Sequence, residues 1–562
     1  MKKTAIVLSF LFILGTLRVL GCTNFLVTPG ASVLGHSMIT YAADAHVLYG
    51  ELYFRPSADY APGSMFRVYE WDTNKFLGEI PQVSHTYSVV GNMNEHQVAI
   101  GETTYGGRPE LRDSTGIIDY GSLIYLALQR ARTAREAIQV MGDLVAEHGY
   151  ASTGESFSIA DPNEVWIMEL IGKGTRLVAE NGRTVNANKG AVWVAVRIPD
   201  GYVSGHANQA RIRQFPQNDP ENCMFAPDVI DFAREMGYYQ GSDSDFSFSD
   251  TYAPVDFSGA RFCDIRVWSF FKDINDDMDQ YFEYVKGKDL DNRMPLFIKP
   301  NRKLSNRDLM NFMRDHLEGT ELDMTQDAGA GPFGLPYRWR PLTWEYDGKT
   351  YVNERATATQ QTGFSFVAEC RPMQPDWLGG ILWFGIDDAS ATTYVPMYCG
   401  MTRVPESYAV GNGDLLTYSE TSAFWAFSFV SNFAYLRYNV MMEDVRKVQT
   451  ELETTYVAEI EAVDAAAAAL VKVNPDMARK FITDYSVETA DNTVKRYKEL
   501  GQFLLVKYID GNIKKEENGV FLRSEDGYPL SPDQPGYSEL WKEEVVKNTK
   551  KKLLMPGEAG GH

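Results

Sequence analysis

The N-terminal segment constrains this chain more than any other part of it. Two lysines after the initiating methionine are followed by an apolar stretch from Ala5 to Leu17, and Gly21 immediately precedes Cys22. A positive start, a short apolar core and a small residue before the cut are typical of a signal peptide, and the stretch is too short to span a membrane. We interpret residues 1–21 as a signal peptide and expect an exported protein, periplasmic or extracellular, whose mature chain begins at Cys22.

The sequence that follows Cys22 enters an extended structure at once. Thr23 to Val27 has the composition of a strand, Pro29-Gly30 supplies turn chemistry, and Val33 to Tyr41 continues as a second strand. A mature chain that begins at Cys22 therefore starts inside a sheet.

Two fates of Cys22 exclude each other. If cleavage falls after Gly21, the new α-amino group, with a pKa of about 8, is a base carried on the same residue as the thiol. The alternative is a surface lipoprotein that is anchored through an acylated Cys22 and binds ligands without catalysis. Leu20 is bulky for a lipobox, and no flexible polar tether follows the cysteine. These two features favour the free thiol, which must become a thiolate to attack an amide.

The order of predicted elements indicates the α+β class. Strand patterns come first, and a Thr-x-x-Glu capping sequence at Thr133 then predicts a helix that Gly149 ends. Strand patterns return between residues 156 and 198, again at 363–368 and at 382–384, and the chain becomes helical from about Thr421, with a further helix predicted from Val487 to Tyr508. Strands, helices and strands in this order favour helices packed on mainly antiparallel sheets.

Charge and cysteine content exclude some function classes. The formal charge of −21 over 562 residues, with no basic stripe, makes nucleic acid an unfavourable partner. No stretch after the signal peptide is apolar enough to span a membrane. The five cysteines are an odd number in an exported protein, so at least one is left unpaired, and up to two disulfides are possible among the last four.

Several short motifs resemble, in their order and spacing, the dipeptidases of peptidase family C69. These are relatives of choloylglycine hydrolases and penicillin V acylases in the N-terminal-nucleophile superfamily. The resemblance runs from Cys22 to about residue 440, and its motifs are Cys22-Thr23-Asn24, Gly91-Asn92-Met93-Asn94-Glu95, Gly205-His206-Ala207-Asn208-Gln209-Ala210-Arg211-Ile212 and Arg266-Val267-Trp268. It implies a four-layer αββα sandwich over residues 22–440, with residues 441–562 as a helical C-terminal extension.

The resemblance also implies roles for individual residues. An Asp at the end of the second strand contacts the nucleophile or its amine, and Asp44 occupies that place. Relatives carry Arg three residues earlier, where this chain has Tyr41, whose hydroxyl can still form a hydrogen bond. Asn208 corresponds to an oxyanion donor, and Thr104 falls at the second oxyanion position.

One further catalytic position is implied near residue 266. The late Arg of the family maps to Arg266, or with a different alignment to Arg261, and an Arg there stabilises negative charge or binds a carboxylate. Arg266 lies between the apolar residues Ile265 and Val267. This alternation is typical of a strand residue that faces solvent or a partner. His206, beside Asn208, is expected to position other groups by hydrogen bonding.

The expected activity is hydrolysis of short peptides by Cys22, without a cofactor or a metal. The alternative within enzymes is an amidase for non-peptide N-acyl substrates, because the same centre serves several acyl groups in the superfamily. Small peptides are the expected partners, and a homo-oligomer is possible.

Overall fold

The computed structural model describes residues 21–555. The predicted signal peptide up to residue 20 lies outside the described residues. No helix in the described part combines the length and apolar character needed to cross a membrane. Within the same residues, no group of three or more His, Cys, Asp and Glu side chains is placed to hold a metal ion.

The first of two large sheets contains the strand that follows Cys22. Its seven strands are all antiparallel to their neighbours, and the strand from Asn24 to Val27 is paired on both sides. The order across this sheet is Phe297–Ile298, Val203–His206, Asn24–Val27, Ser37–Asp44, Thr362–Cys370, Gly380–Ile386 and Val395–Tyr398.

The second sheet has eight antiparallel strands. Their order is Cys223–Phe225, Ala191–Arg197, Val165–Gly172, Gly154–Ala160, Ala99–Gly106, Met93–Asn94, Val89–Val90 and Phe54–Arg55. Smaller ribbons pair Ala58–Asp59 with His85–Thr86, Met65–Tyr69 with Phe76–Pro81, Leu177–Glu180 with Arg183–Asn186, Thr343–Tyr346 with Lys349–Val352, and Glu516–Glu517 with Val520–Phe521.

The two sheets pack face to face through alternate residues of their strands. Leu26, Ile39 and Phe366 of the first sheet share one buried core with Ile100 and Phe157 of the second. The intervening residues Phe25, Met38 and Val367 lie in a different core on the other face of the first sheet. This separation follows from the two-residue period of a strand, which sends successive side chains to opposite faces.

The helices lie mainly over the outer faces of the sheets. Thr133 caps the predicted helix by accepting from the Glu136 N–H, and Gly149 ends it with a φ of 76°. Gly142 of this helix contacts Trp193 of the second sheet. The α-helices are Tyr120–Leu128, Ala134–His148, Val229–Glu235, Phe248–Tyr252, Ile265–Ile274, Phe282–Val285, Asn306–Phe312, Asp376–Gly379, Ala423–Ala434, Tyr438–Leu470, Pro475–Tyr508 and Glu539–Thr549.

The C-terminal helices pack against the first sheet. Arg371, which follows a strand of that sheet, forms a buried ion pair with Asp464 at 2.5 Å. The last long helix begins at Pro475, earlier than the predicted Val487, because Asn474 caps it and proline suits the first helical turn. Assignment of residues 441–562 to a separate extension stays a prediction.

Mixed helices and antiparallel sheets with a helical C-terminal region confirm the α+β class. The two possible disulfides do not form, since all five cysteines are unpaired. The thiols of Cys370 and Cys399 lie against backbone carbonyls instead, those of Gln97 at 3.1 Å and Asp376 at 3.2 Å.

Candidate active site

Cys22 lies just before Asn24–Val27, an inner strand of the first sheet, and faces the second sheet. Its side chain belongs to the core between the sheets, and the residue is 5% exposed. The Sγ atom is 3.7 Å from Glu102 Oε1 and 3.9 Å from the Tyr41 hydroxyl. The thiol is therefore surrounded by polar groups inside an otherwise apolar core.

Glu102 belongs to a buried pair of carboxyl groups. The Tyr41 hydroxyl donates to Glu102 Oε1 at 2.5 Å, and the Glu102 and Glu155 side chains hydrogen-bond each other. The Oε2 atom of each carboxyl group is buried with no hydrogen-bond partner found within residues 21–555, and a hydrogen bond between two carboxyl groups requires a proton on one of them. Burial raises the pKa of Glu102 and of Glu155, and for Glu155 the charge of Glu102 adds to the effect.

In the uncleaved chain, the surroundings of Cys22 disfavour its thiolate. Burial raises the pKa of the Cys22 thiol well above its usual range, and the carboxylates of Glu102 and Asp44 add to the shift. Both causes penalise a negative charge on sulfur. Attack on a carbonyl therefore requires a nearby base.

Asp44 is the last residue of the strand Ser37–Asp44, the place that the family resemblance implies for it. Its carboxylate accepts from Arg355 Nη2 at 2.6 Å and from the Thr362 hydroxyl at 2.7 Å. Its backbone carbonyl accepts from the Gly21 N–H at 2.9 Å. Burial raises the pKa of Asp44, whereas the Arg355 guanidinium opposes that rise.

Arg266 joins two of the predicted site segments. It is 1% exposed, and its Nη1 donates to the Cys22 carbonyl at 2.6 Å and to the Thr23 hydroxyl at 2.8 Å. Its Nη2 donates to Asn208 Oδ1 at 2.9 Å. Arg261, the other alignment, instead pairs with Glu354 at 3.0 Å.

The strand-like environment proposed for Arg266 is wrong, because the residue lies in the helix Ile265–Ile274. Ile265, Trp268 and Phe271 recur at helical spacing and bury one side of this helix. Arg266 is also buried, and it points at Cys22 rather than at solvent. Charged residues between apolar neighbours fit either structure, so the local pattern did not decide between them.

Asn208 and Thr104 are adjacent in the structure. Asn208 has a left-handed backbone, with a φ of 59°, and its Nδ2 donates to the Thr104 carbonyl at 2.6 Å. The Thr104 hydroxyl donates to Glu155 Oε1 at 2.8 Å and is thus turned toward the carboxyl pair. Thr104 therefore contacts Asn208 through its backbone carbonyl, and not through its hydroxyl.

His206 ties the two sheets together beside this site. Its ring nitrogens lie 2.7 Å from the Thr103 hydroxyl and 2.7 Å from the Ser158 hydroxyl, both on the second sheet. Burial, with a contribution from Arg211, lowers the pKa of His206 to about 3, so the ring is neutral. A neutral imidazole that is hydrogen-bonded through both ring nitrogens fixes the strand that leads to Asn208.

The structure brings together all five predicted residues, Cys22, Asp44, Thr104, Asn208 and Arg266, and adds others that the sequence analysis did not select. Glu102 and Glu155 form the carboxyl pair, and Arg355 contacts Asp44. The polar run Gly101-Glu102-Thr103-Thr104 in a buried strand was a usable signal for Glu102. Arg355 had no comparable local signal.

Comparison with known proteins identifies the family of this chain. The sequence model described as Peptidase family C69 matches residues 55–451. A protein of Salmonella dublin named probable dipeptidase is 25% identical over 411 residues, which cover 69% of this chain and 83% of the relative. One from Latilactobacillus sakei with the same name is 24% identical and covers 69% and 76%. Probable dipeptidase A of Streptococcus pyogenes serotype M3 is 24% identical over 503 residues, 83% and 94% of the two chains. Because the family match extends over most of its length, this chain belongs to peptidase family C69.

Proposed function

We propose that this peptidase is an exported dipeptidase whose nucleophile is the thiol of Cys22, exposed as the mature N-terminus when residues 1–21 are removed. The observation that carries the proposal is Arg266, which is buried and binds both the Cys22 carbonyl and Asn208. It ties the start of the mature chain to the amide predicted to stabilise the oxyanion. The names of the relatives support short peptides as substrates.

The layered packing supports an N-terminal-nucleophile sandwich. Two antiparallel sheets pack face to face, helices lie over the outer faces, and Cys22 lies between the sheets at the start of a central strand. Cleavage just before such a nucleophile supplies its base, because the new α-amino group is attached to the Cα of the same residue. We propose residues 22–440 for the sandwich, the range that the family resemblance implies.

Proton transfer in the proposed reaction begins at the thiol. The Cys22 thiol gives its proton to the α-amine, and the sulfur forms a bond to the peptide carbonyl carbon. The carbon–nitrogen bond then breaks, and the ammonium returns the proton to the leaving amine. Water, activated by the same amine, cleaves the thioester and regenerates Cys22. The raised pKa of the thiol explains why this base is needed.

Asn208 is the proposed donor to the tetrahedral oxyanion. One hydrogen of its Nδ2 bonds the Thr104 carbonyl, and a carboxamide nitrogen carries a second hydrogen for the oxyanion. Arg266 holds the Asn208 Oδ1, which fixes the amide plane. A donor of this kind contributes about 3 kcal/mol to the transition state.

The burial of Cys22 supports a free thiol over an acylated one. A lipid on sulfur would have to occupy the core between the sheets, where the thiol contacts Glu102 and Tyr41. An amidase for other N-acyl substrates shares the proposed centre and differs in the acyl group that it accepts.

The proposal is tested by hydrolysis of Ala-Ala by the exported protein and by its Cys22→Ala variant. We expect activity that iodoacetamide abolishes and that the variant lacks. Cys223→Ala, which removes a buried thiol of the second sheet, is the matched control and should retain activity. Activity that persists in Cys22→Ala would overturn the assignment of the nucleophile.

A further inference from the structure

The guanidinium of Arg355 turns one edge toward the residue that precedes the nucleophile. Arg355 is 2% exposed, and its Nη2 donates to the Gly21 carbonyl. A Cβ atom on Gly21 would lie 2.7 Å from Nη2 and 3.0 Å from Nε. The Nε–Nη2 edge, which can bind both oxygens of a carboxylate, thus faces the position of Gly21.

Buried donor groups remain unused around this position. Arg355 Nε has no partner within residues 21–555, and the same holds for Arg340 Nε and Gln361 Nε2. Arg340 Nη2 donates to Gln361 Oε1 at 2.5 Å. Buried donors without acceptors are costly, and Arg355 Nε, on the edge that faces Gly21, is free to bind an acceptor there.

A short β-ribbon brings the two arginines together. Its strands are Thr343–Tyr346 and Lys349–Val352, and the Asn353 N–H donates to the Leu342 carbonyl at 2.7 Å across its base. Arg340 precedes the first strand of the ribbon, and Arg355 follows the second. The ribbon therefore presents both guanidinium groups to the end of the strand that carries Asp44.

Positive charge is in excess at this place. Burial lowers the pKa of Arg340 to about 10, the Arg355 and Arg266 guanidiniums lower it too, and the Asp44 carboxylate opposes them. This local excess contrasts with the overall formal charge of −21. A further carboxylate bound here would offset the repulsion between the guanidiniums.

The spacing suits the leaving residue of a dipeptide. Its α-carboxylate lies one residue beyond the attacked peptide bond, and one residue spans about 4 Å. Gly21 likewise lies one residue from Cys22, and its carbonyl oxygen marks an acceptor position on Arg355 that cleavage vacates.

We propose that Arg355 and Arg340 bind the free α-carboxylate of the substrate's leaving residue beside the α-amino group of Cys22, along the Arg355 edge that faces Gly21 in the full chain. This inference rests on the proposed dipeptidase function and specifies its substrate class. Peptides with an unblocked C-terminus are preferred, and substrates without a carboxylate one residue beyond the scissile bond are disfavoured.

The first test does not depend on peptidase activity. Cys22 of the protein recovered without its leader is alkylated with iodoacetate or with neutral iodoacetamide, and the two rate constants are followed by intact mass. We expect the ratio of iodoacetate to iodoacetamide rates to fall about tenfold in Arg340→Gln and in Arg355→Lys, because a charge-assisted contact is lost. Lys349→Gln, at the far end of the ribbon, removes one charge and should leave the ratio unchanged.

The second test compares Ala-Ala with its C-terminal amide. We expect the unmodified protein to prefer the dipeptide by about tenfold to a hundredfold in kcat/KM, mainly through KM, and Arg340→Gln to lose this preference, whereas Lys349→Gln should keep it. Equal hydrolysis of both substrates would overturn the carboxylate site and leave the peptidase standing. If neither substrate is cleaved, the peptidase proposal fails, and the alkylation ratio still tests the carboxylate site. An alkylation ratio that is the same in all variants would overturn that site.

Discussion

The Tyr41 hydroxyl donates to Glu102 Oε1 at 2.5 Å, and both groups lie within 4 Å of the Cys22 thiol. In this chain a tyrosine thus occupies the position where the family resemblance places arginine. The phenol is neutral, since burial raises its pKa well above the usual range. Tyr41 consequently supplies a hydrogen bond at the nucleophile instead of a positive charge.

This relationship predicts a moderate effect of Tyr41→Phe. The change leaves Glu102 Oε1 without its strongest donor and alters the polar surroundings of the thiol, so kcat/KM for a dipeptide should fall about tenfold. Tyr105→Phe is a suitable control. It removes the same atom from a tyrosine whose hydroxyl donates to the Leu170 carbonyl at 2.9 Å instead of to Glu102. A Tyr41→Phe enzyme as active as the Tyr105→Phe enzyme would show that the hydroxyl plays no part in the reaction.

The carboxyl pair predicts a pH dependence of folding stability. Burial raises the pKa of Glu102 in the folded state, so the stability associated with its bound proton is present below the ordinary glutamate pKa of about 4.3 and is lost as pH rises through the folded value. The free energy of unfolding in urea should therefore decrease from pH 5 toward neutral pH. Glu102→Gln should reduce that decrease.

The exposed residue Glu79 offers a comparison for this measurement. Glu79→Gln also removes one carboxyl group, but from a side chain that is about half exposed. Its unfolding free energy should follow the pH dependence of the unmodified protein. An equal reduction in both variants would contradict the assignment to the buried pair.

Asn208 combines a left-handed backbone with the proposed oxyanion donor, and two variants separate these properties. Asn208→Gly keeps the backbone conformation and removes the amide, whereas Asn208→Ala removes the amide and adds backbone strain of about 1 kcal/mol. Both should lower kcat about 10²- to 10³-fold. Thermal unfolding should show a loss of stability that is greater for alanine. Full activity in Asn208→Gly would exclude a catalytic role for the amide.

The buried pair of Arg371 and Asp464 predicts that the C-terminal helices are required for folding. Asp464 accepts from Arg371 Nη1 at 2.5 Å and from the Tyr398 hydroxyl at 2.9 Å. Asp464→Asn leaves a buried guanidinium without its counter-charge and should cost about 3 kcal/mol of unfolding free energy. Asp484→Asn, in a more exposed pair with Arg403, should cost much less, because solvent screens that pair. Equal effects would mean that the helices contribute little through this contact.

Local signals in the sequence were enough to predict many elements of the fold. The strand that follows Cys22 and the helix capped by Thr133 are found where the sequence indicated them, whereas the second strand, predicted from Val33 to Tyr41, runs from Ser37 to Asp44. Each depends on residues that are close together in the chain. The long helix from Pro475 was predicted too short, because its first three turns present a mixed face whose buried side depends on neighbouring helices.

The candidate site was less accessible from the sequence, because its contacts join distant segments. Glu102 is 80 residues from Cys22, and Arg355 is 311 residues from Asp44. No periodicity or motif links such positions. The packing of the two sheets brings Glu102 to Cys22, and the pairing of Ser37–Asp44 with Thr362–Cys370 brings Arg355 close to Asp44. Arg266 was selected through the family resemblance although its helix was read as a strand, which shows that site and local structure were inferred from separate information.

The central claim is that Cys22 is both the mature N-terminus and the nucleophile. The most direct measurement is the intact mass and N-terminal sequence of the exported protein, recorded with its rate of dipeptide hydrolysis before and after iodoacetamide. We expect an unmodified N-terminal Cys22, a single alkylation at that residue under native conditions, and loss of hydrolysis in proportion to alkylation. An acylated Cys22, or a retained leader with hydrolysis that alkylation does not affect, would overturn both assignments.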